Sequence, residues 1–229
     1  MTKKVFVNQT TRTSAGSVIR NMFSGNSQGY GFGERTVGNG IQKVVPMIPH
    51  PFRQLKTEGC IDVNFVIFHE SAIQVIADEN IIDLIKIEYS GDKLTVGFKD
   101  NISFETQGLL QVNIVNPFLD KVELSGSGEI NVKGLDQDVF SAILSGSGNM
   151  DLAGTADSAD VALHGSGNID SMDLRACKLV ANLHGSGNIE ATATNAAHAK
   201  LYGSGNIKIY GNPPIQESNC NGSGKIKFR

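Results

Sequence analysis

The sequence has no tryptophan, little charge and no stretch of 18 apolar residues. A membrane-crossing helix needs about 20 such residues, so none is expected. Charged side chains make up 19% of the chain and hydrophobic ones 40%. Ordinary domains carry about 25% charged residues, so this is not a charge-driven disordered chain. Its 229 residues suffice for one or two domains with a real core. Cysteine is also scarce. Cys60, Cys177 and Cys220 are odd in number and far apart, which gives neither a disulfide framework nor a zinc spacing. The opening residues Met1-Thr2-Lys3-Lys4-Val5-Phe6-Val7-Asn8 hold an apolar run of only three, Val5 to Val7. A secretory signal needs an apolar run of roughly 7–15. Both features lean towards an intracellular setting. The net charge of −3 argues against a globally basic nucleic-acid binder, and no nucleic-acid partner is expected. No Ser-His-Asp order, phosphate loop or metalloprotease motif is present, so no catalytic residue and no cofactor is assigned.

Charge is unevenly placed. Residues 1–56 hold eight Lys and Arg against one acid, Glu34, whereas residues 57–229 hold twelve against 22 acids. Such a basic segment either lies on its own acidic body or meets an acidic partner. Residues 1–45 are polar, basic and glycine-rich, which predicts a flexible arm with one short strand at Val5–Val7. Pro46, Pro49 and Pro51 mark its boundary. Residues 46–119 switch to alternation: Ile61, Val63, Phe65 and Ile67 share one face, as do Ile85, Ile87 and Tyr89, and Leu110, Val112 and Ile114. Period-2 patterning bounded by turns such as Ser90-Gly91-Asp92-Lys93 reads as strands.

What is abundant is glycine, 26 residues in all. Twelve of them form six Gly-Ser-Gly units in residues 120–229: Gly126 and Gly128, Gly146 and Gly148, Gly165 and Gly167, Gly185 and Gly187, Gly203 and Gly205, Gly222 and Gly224. The intervals are 20, 19, 20, 18 and 19 residues. A fixed period near 20 means stacked units. Two residues before each corner stand Leu124, Leu144, Leu163, Leu183, Leu201 and Cys220; four after its first glycine stand Ile130, Met150, Ile169, Ile189, Ile207 and Ile226. These columns predict an all-β fold, a parallel and right-handed β-helix or solenoid of about 19 residues per turn, with apolar columns inward and glycine at each corner. Cys220 reads as a small buried hydrophobe in the leucine column. Rungs about 4.8 Å apart leave two open ends, which the N-terminal strands and the basic Lys225–Arg229 segment would guard.

Asn149, Asn168, Asn188 and Asn206 recur at one position and predict an amide ladder. The outward position before the corner holds His164, His184 and Tyr202 in succession. It reads as surface stacking, with a metal site as the alternative, although a closed zinc site needs four ligands. Asp151, Asp170 and Glu190 fill one outward column, followed by Lys208 and Lys227; this is a solvated acidic stripe or a calcium- or sugar-binding one. Asp170, Asp173 and Arg175 are the nearest approach to a catalytic group, since β-helix enzymes acting on polysaccharides need clustered acids and bases.

The repeated Leu-x-Gly-Ser-Gly-Asn-Ile of Leu163–Ile169, Leu183–Ile189 and Leu201–Ile207 resembles the putative auto-transporter adhesin, head GIN domain family (DUF2807-type). So do the lead-in from Phe52, the Tyr89–Leu94 turn and Val112–Pro117 running into Leu124–Gly128. The resemblance covers residues 52–229. It implies a parallel β-helix-like fold and a role at the bacterial cell envelope or surface, and it brings no catalytic residues. This chain departs from that pattern in its basic arm and in lacking a visible signal or lipoprotein cysteine. The leading expectation is a non-enzymatic, adhesin-like binding or structural module that presents a rigid repetitive face to a glycan or protein partner. The alternatives are a subunit of a larger assembly, homo-oligomeric through a solenoid end or the arm, and a carbohydrate-active enzyme.

Overall fold

The computed structural model describes residues 35–229. The expected strand at Val5–Val7 and most of the basic arm lie outside the described residues. The lead-in contains β1 (Thr36–Val37), β2 (Gln42–Met47), β3 (Gln54–Gly59), β4 (Asp62–Ile67), β5 (Ala72–Asp78), β6 (Ile85–Ser90), β7 (Lys93–Phe98), β8 (Phe104–Glu105) and β9 (Gln111–Asn116). The repeats contain β10 (Lys121–Gly126), β11 (Glu129–Gly146), β12 (Asn149–Gly165), β13 (Asn168–Gly185), β14 (Asn188–Gly203), β15 (Asn206–Tyr210), β16 (Ile215–Asn221) and β17 (Lys225–Phe228). One 3-10 turn at Ile82–Leu84 is the only helical element among the described residues, and no helix there is long and apolar enough to cross a membrane.

The repeats form a parallel β-solenoid. Each Gly-Ser-Gly sits in register with the one before: Gly126 with Gly146, Gly146 with Gly165, Gly165 with Gly185, Gly185 with Gly203. The corner geometry explains the motif. The carbonyl of Gly126 accepts both Ser147 N–H (3.0 Å) and Gly148 N–H (3.1 Å) from the next rung, and the pattern repeats at Gly146, Gly165 and Gly185. The first glycine of each corner has a positive φ, 135° at Gly146. A Cβ there would stand 2.2 Å from the Gly126 oxygen. At Gly148 a Cβ would meet the Gly128 oxygen at 2.3 Å and Leu124 Cδ2 at 2.8 Å. One glycine is therefore required by backbone conformation and close approach, the other by close approach alone.

Two sheets run through the whole solenoid. The first face carries β6, β7, β3 and β10, then the C-terminal parts of β11 to β14, then β16. The second carries β2, β5, β9 and β4, then the N-terminal parts of β11 to β14, then β15 and β17. A third face is made by the middle of β11 to β14, reached through register shifts after Val132, Asp151 and Ser171. The leucine column and the Ile130–Ile207 column are fully buried, with Phe65 and Phe140 the largest side chains inside. Tryptophan has little room in rungs this thin; in the rung of β14 the interior holds Ala191, Ala193, Ala196, Ala197 and Ala199 between Ile189 and Leu201.

Two features differ from the sequence expectation, the end of the arm and the burial of Cys220. The lead-in strands continue the solenoid: Gly59 aligns with Gly126, β3 and β4 form a turn of it, and β7 and β9 form another outside it. The antiparallel strands β6, β5 and β2 close that end. Residue 45, the expected end of the arm, falls inside β2, where Val44 and Val45 pair with Ile76 and Val75. Pro46 is accommodated because β2 is the outermost strand and need not donate on its free side. Cys220 is exposed rather than buried. It does continue the leucine column, opposite Leu201, but β16 belongs to the last rung and nothing among the described residues covers it.

Candidate functional site

The surface around the Gly-Ser-Gly corner carries three parallel columns of polar side chains. The Asn column is bonded throughout. Asn168 Nδ2 donates to Asn149 Oδ1 (3.1 Å), Asn188 to Asn168 (2.9 Å) and Asn206 to Asn188 (3.0 Å). Asn168 and Asn188 each donate to one rung and accept from the next, so the ladder pairs these amides along the corner. The second column is the serine hydroxyls between the glycines, of which Ser204 and Ser223 lie 3.1 Å apart. The third runs Ser125, Ser145, His164, His184, Tyr202 and Asn221, in register on successive strands of the first face.

Within it the rings stack. His164 and His184 have centroids 5.2 Å apart at 28°, and His184 and Tyr202 are 4.7 Å apart at 16°. Both faces of His184 are therefore covered, and the stack offers its polar edges and the Tyr202 hydroxyl to solvent. Nearly parallel imidazoles point their nitrogens side by side rather than at a common centre. Among the described residues no group of three or more His, Cys, Asp or Glu is placed to hold a metal ion.

The charged column on the second face is in register from Asn131 through Asp151, Asp170, Glu190 and Lys208 to Lys227. Its middle is neutralised: Lys208 Nζ lies 2.6 Å from Glu190 Oε1, and Tyr210 donates to Oε2 at 3.0 Å. The Lys208 bond holds the Glu190 carboxyl below the usual range, with Tyr210 adding to it. Asp151 goes the other way. Partial burial, then repulsion from Glu129 and Asp170, push its carboxyl up. Asp170 Oδ1 accepts the Met172 N–H at 3.0 Å.

The expected enzyme-like trio does not converge. Asp170 lies on the second face, whereas Arg175 lies on the third, in register with Thr155 and Thr192. Arg175 instead borders a shallow polar trough of about 470 Å³ with Asp136, Asp138, Thr155 and Asp157. An open apolar pocket of about 450 Å³ lies in the lead-in, lined by Pro49, Pro51, Phe52, Pro117 and Phe118. Arg53 stacks over Phe118 at 4.7 Å while binding Asp120 through two nitrogens.

The sequence reading missed a second amide ladder. Asn64 donates to Asn113 (3.2 Å), Asn131 to Asn64 (3.3 Å) and Asn131 to Glu129 (2.9 Å). The signal was available: Asn64 follows Gly59 by the same five residues that separate Asn131 from Gly126.

Residues 51–213 match the family model described as putative auto-transporter adhesin, head GIN domain. Among solved structures, the chain is similar to a putative adhesin from Bacteroides fragilis NCTC 9343, with 22% identity and a TM-score of 0.70 over 84% of this chain and 99% of that one. It is also similar to a putative lipid binding protein from Parabacteroides distasonis ATCC 8503 (21% identity, TM-score 0.59, 86% and 100% covered). A putative adhesin from the same organism follows (20% identity, TM-score 0.56, 86% and 100% covered). These likenesses show the fold. No curated protein matches the chain.

Proposed function

The chain belongs to the putative auto-transporter adhesin, head GIN domain family, and on that premise we propose that it is a non-enzymatic binding module of the bacterial cell envelope. Its solenoid presents the corner ridge to a repetitive polar partner, a glycan or a protein. The observation that carries this reading is the stacked His164–His184–Tyr202 column beside the bonded Asn ladder. Hydrogen-bonding edges recur there at every rung on a backbone held by two bonds per corner. A surface ordered before binding loses little side-chain entropy when a partner docks, so modest contacts suffice for recognition. A ridge of ring edges, hydroxyls and amides suits a ligand rich in polar groups that itself repeats. The separation of Asp170 from Arg175 on different faces supports binding over catalysis.

An array of polysaccharides and immobilised surface proteins, read with and without calcium, tests the proposal. Retention on one ligand class is expected. The double variant His184→Ala/Tyr202→Ala should bind it at least about tenfold more weakly, as truncation of contact aromatics commonly does. No retention on any ligand, or unchanged binding by the double variant, would overturn the assignment to this ridge. Release of reducing ends from a bound polysaccharide would overturn the non-enzymatic part.

A further inference from the structure

The second face has a charge pattern that its neighbours do not neutralise. Asp151 and Asp170 form no ion pair among the described residues, and neither do Lys225, Lys227 and Arg229 three to four rungs away. Lys225, Lys227 and Arg229 are all exposed. Between these groups, Glu190 and Lys208 are paired to each other. Along one column of this sheet face acids therefore precede bases, aligned along the solenoid axis in a single register.

We propose that this face docks on a second copy of the chain, with the two solenoid axes antiparallel. Two faces can meet about a two-fold axis lying in the plane between them. If that axis ran along the solenoid, each acid would meet the same acid of the other copy, and like charges directly opposed are repulsive. If it runs along the strands, rung order reverses across the contact and the charges become complementary. Placing the axis between the rungs of Glu190 and Lys208 sets Glu190 opposite Lys208 of the second copy and Asp170 opposite Lys227 of the second copy. Symmetry then repeats both pairs, as an isologous contact must. The Asn188 and Asn206 amides of the two ladders face each other in the same arrangement.

The matching works because the rungs are evenly spaced. Parallel strands lie about 4.8 Å apart on both copies, so one matched pair brings the next into line. The overlap covers four rungs, roughly 14 Å from the first to the last, which is small beside a standard interface of about 800 Å² per partner. The contact is accordingly weak and salt-sensitive, and it matters where copies are crowded. The inference does not depend on what the corner ridge binds.

Sedimentation of the full chain at low and high salt tests it, together with two variants that reverse opposite halves of the face. Wild type should show a reversible dimer at low salt that dissociates when salt shortens the reach of these charges. In the column itself, Asp151→Lys/Asp170→Lys leaves only bases apart from the Glu190–Lys208 pair, and Lys225→Glu/Lys227→Glu turns the last rung acidic but for Arg229. Each variant alone should dimerise at least about tenfold more weakly, because like charges are then apposed. An equimolar mixture of the two should recover a heterodimer of wild-type strength. A wild type that stays monomeric at high concentration and low salt overturns the proposal, as does failure of the mixture to associate when both variants retain the wild-type circular dichroism spectrum.

Discussion

Thr57 shows how strictly a single position is constrained in this stack. It sits in the leucine column, between Val96 and Leu124, and is fully buried. Its hydroxyl has no hydrogen-bond partner. A hydroxyl taken from water without a partner lowers stability, while the methyl branch still packs. Thr57→Val keeps the shape and removes the orphan. We expect it to stabilise the fold by about 1 kcal/mol, read as a higher urea midpoint with an unchanged slope. A lower midpoint would mean that the hydroxyl makes a bond important to the rung. Ser171 is the contrasting case: equally buried, it donates to the Glu190 carbonyl at 3.1 Å and is satisfied.

At the scale of the strand column, two rungs set opposite pH responses. Glu190 is held below its usual range, so the stability it adds is present above about pH 4.3 and is lost as pH falls through its lowered value. Asp151 is raised, so its favourable contribution exists below about pH 3.9 and disappears as pH climbs through its raised value. Asp151→Asn should therefore raise the melting temperature at neutral pH, and calorimetry should show the gain shrinking towards about pH 3, where the carboxyl is protonated anyway. A constant gain across that range would remove repulsion and burial as the cause. Columns of this kind were legible in the sequence wherever Gly-Ser-Gly announced the corner, which is how Asn149 to Asn206 and Asp151 to Lys227 could be aligned. The ladder through Asn64 keeps the spacing but not the motif, since its corner reads Gly59-Cys60-Ile61, so only the five-residue offset from Gly59 marks it. The turn at Ser90–Lys93 correctly signals the β6–β7 hairpin, but short-range alternation is blind to the parallel pairing of β3 with β10, whose partners lie 67 residues apart. Exposure of Cys220 was equally out of reach, since a column pattern does not reveal which rung is last.

The whole molecule is asymmetric along its axis. Antiparallel strands close the end near β2 and β6, burying Phe52, Ile81 and Leu119, while every residue of β16 is exposed and Ile226 and Phe228 are only half-buried. In a stack where each rung touches only its neighbours, stability follows position. Leu183→Ala, in the middle, should cost about 2–5 kcal/mol, and Ile226→Ala, at the open rung, less than about half of that. Chemical denaturation of the two variants makes the comparison; equal losses would refute a graded stack. The same architecture governs how fast the molecule forms. From β11 onward each rung is completed by a loop of 18 to 20 residues, as the Asn ladder records. The contact of β3 and β4 with β10 and β11 closes one of 67. That single closure costs about 1 kcal/mol more chain entropy than any later one. This closure is therefore expected to be slower than that of any rung after it, because chain entropy is lost before the contacts form.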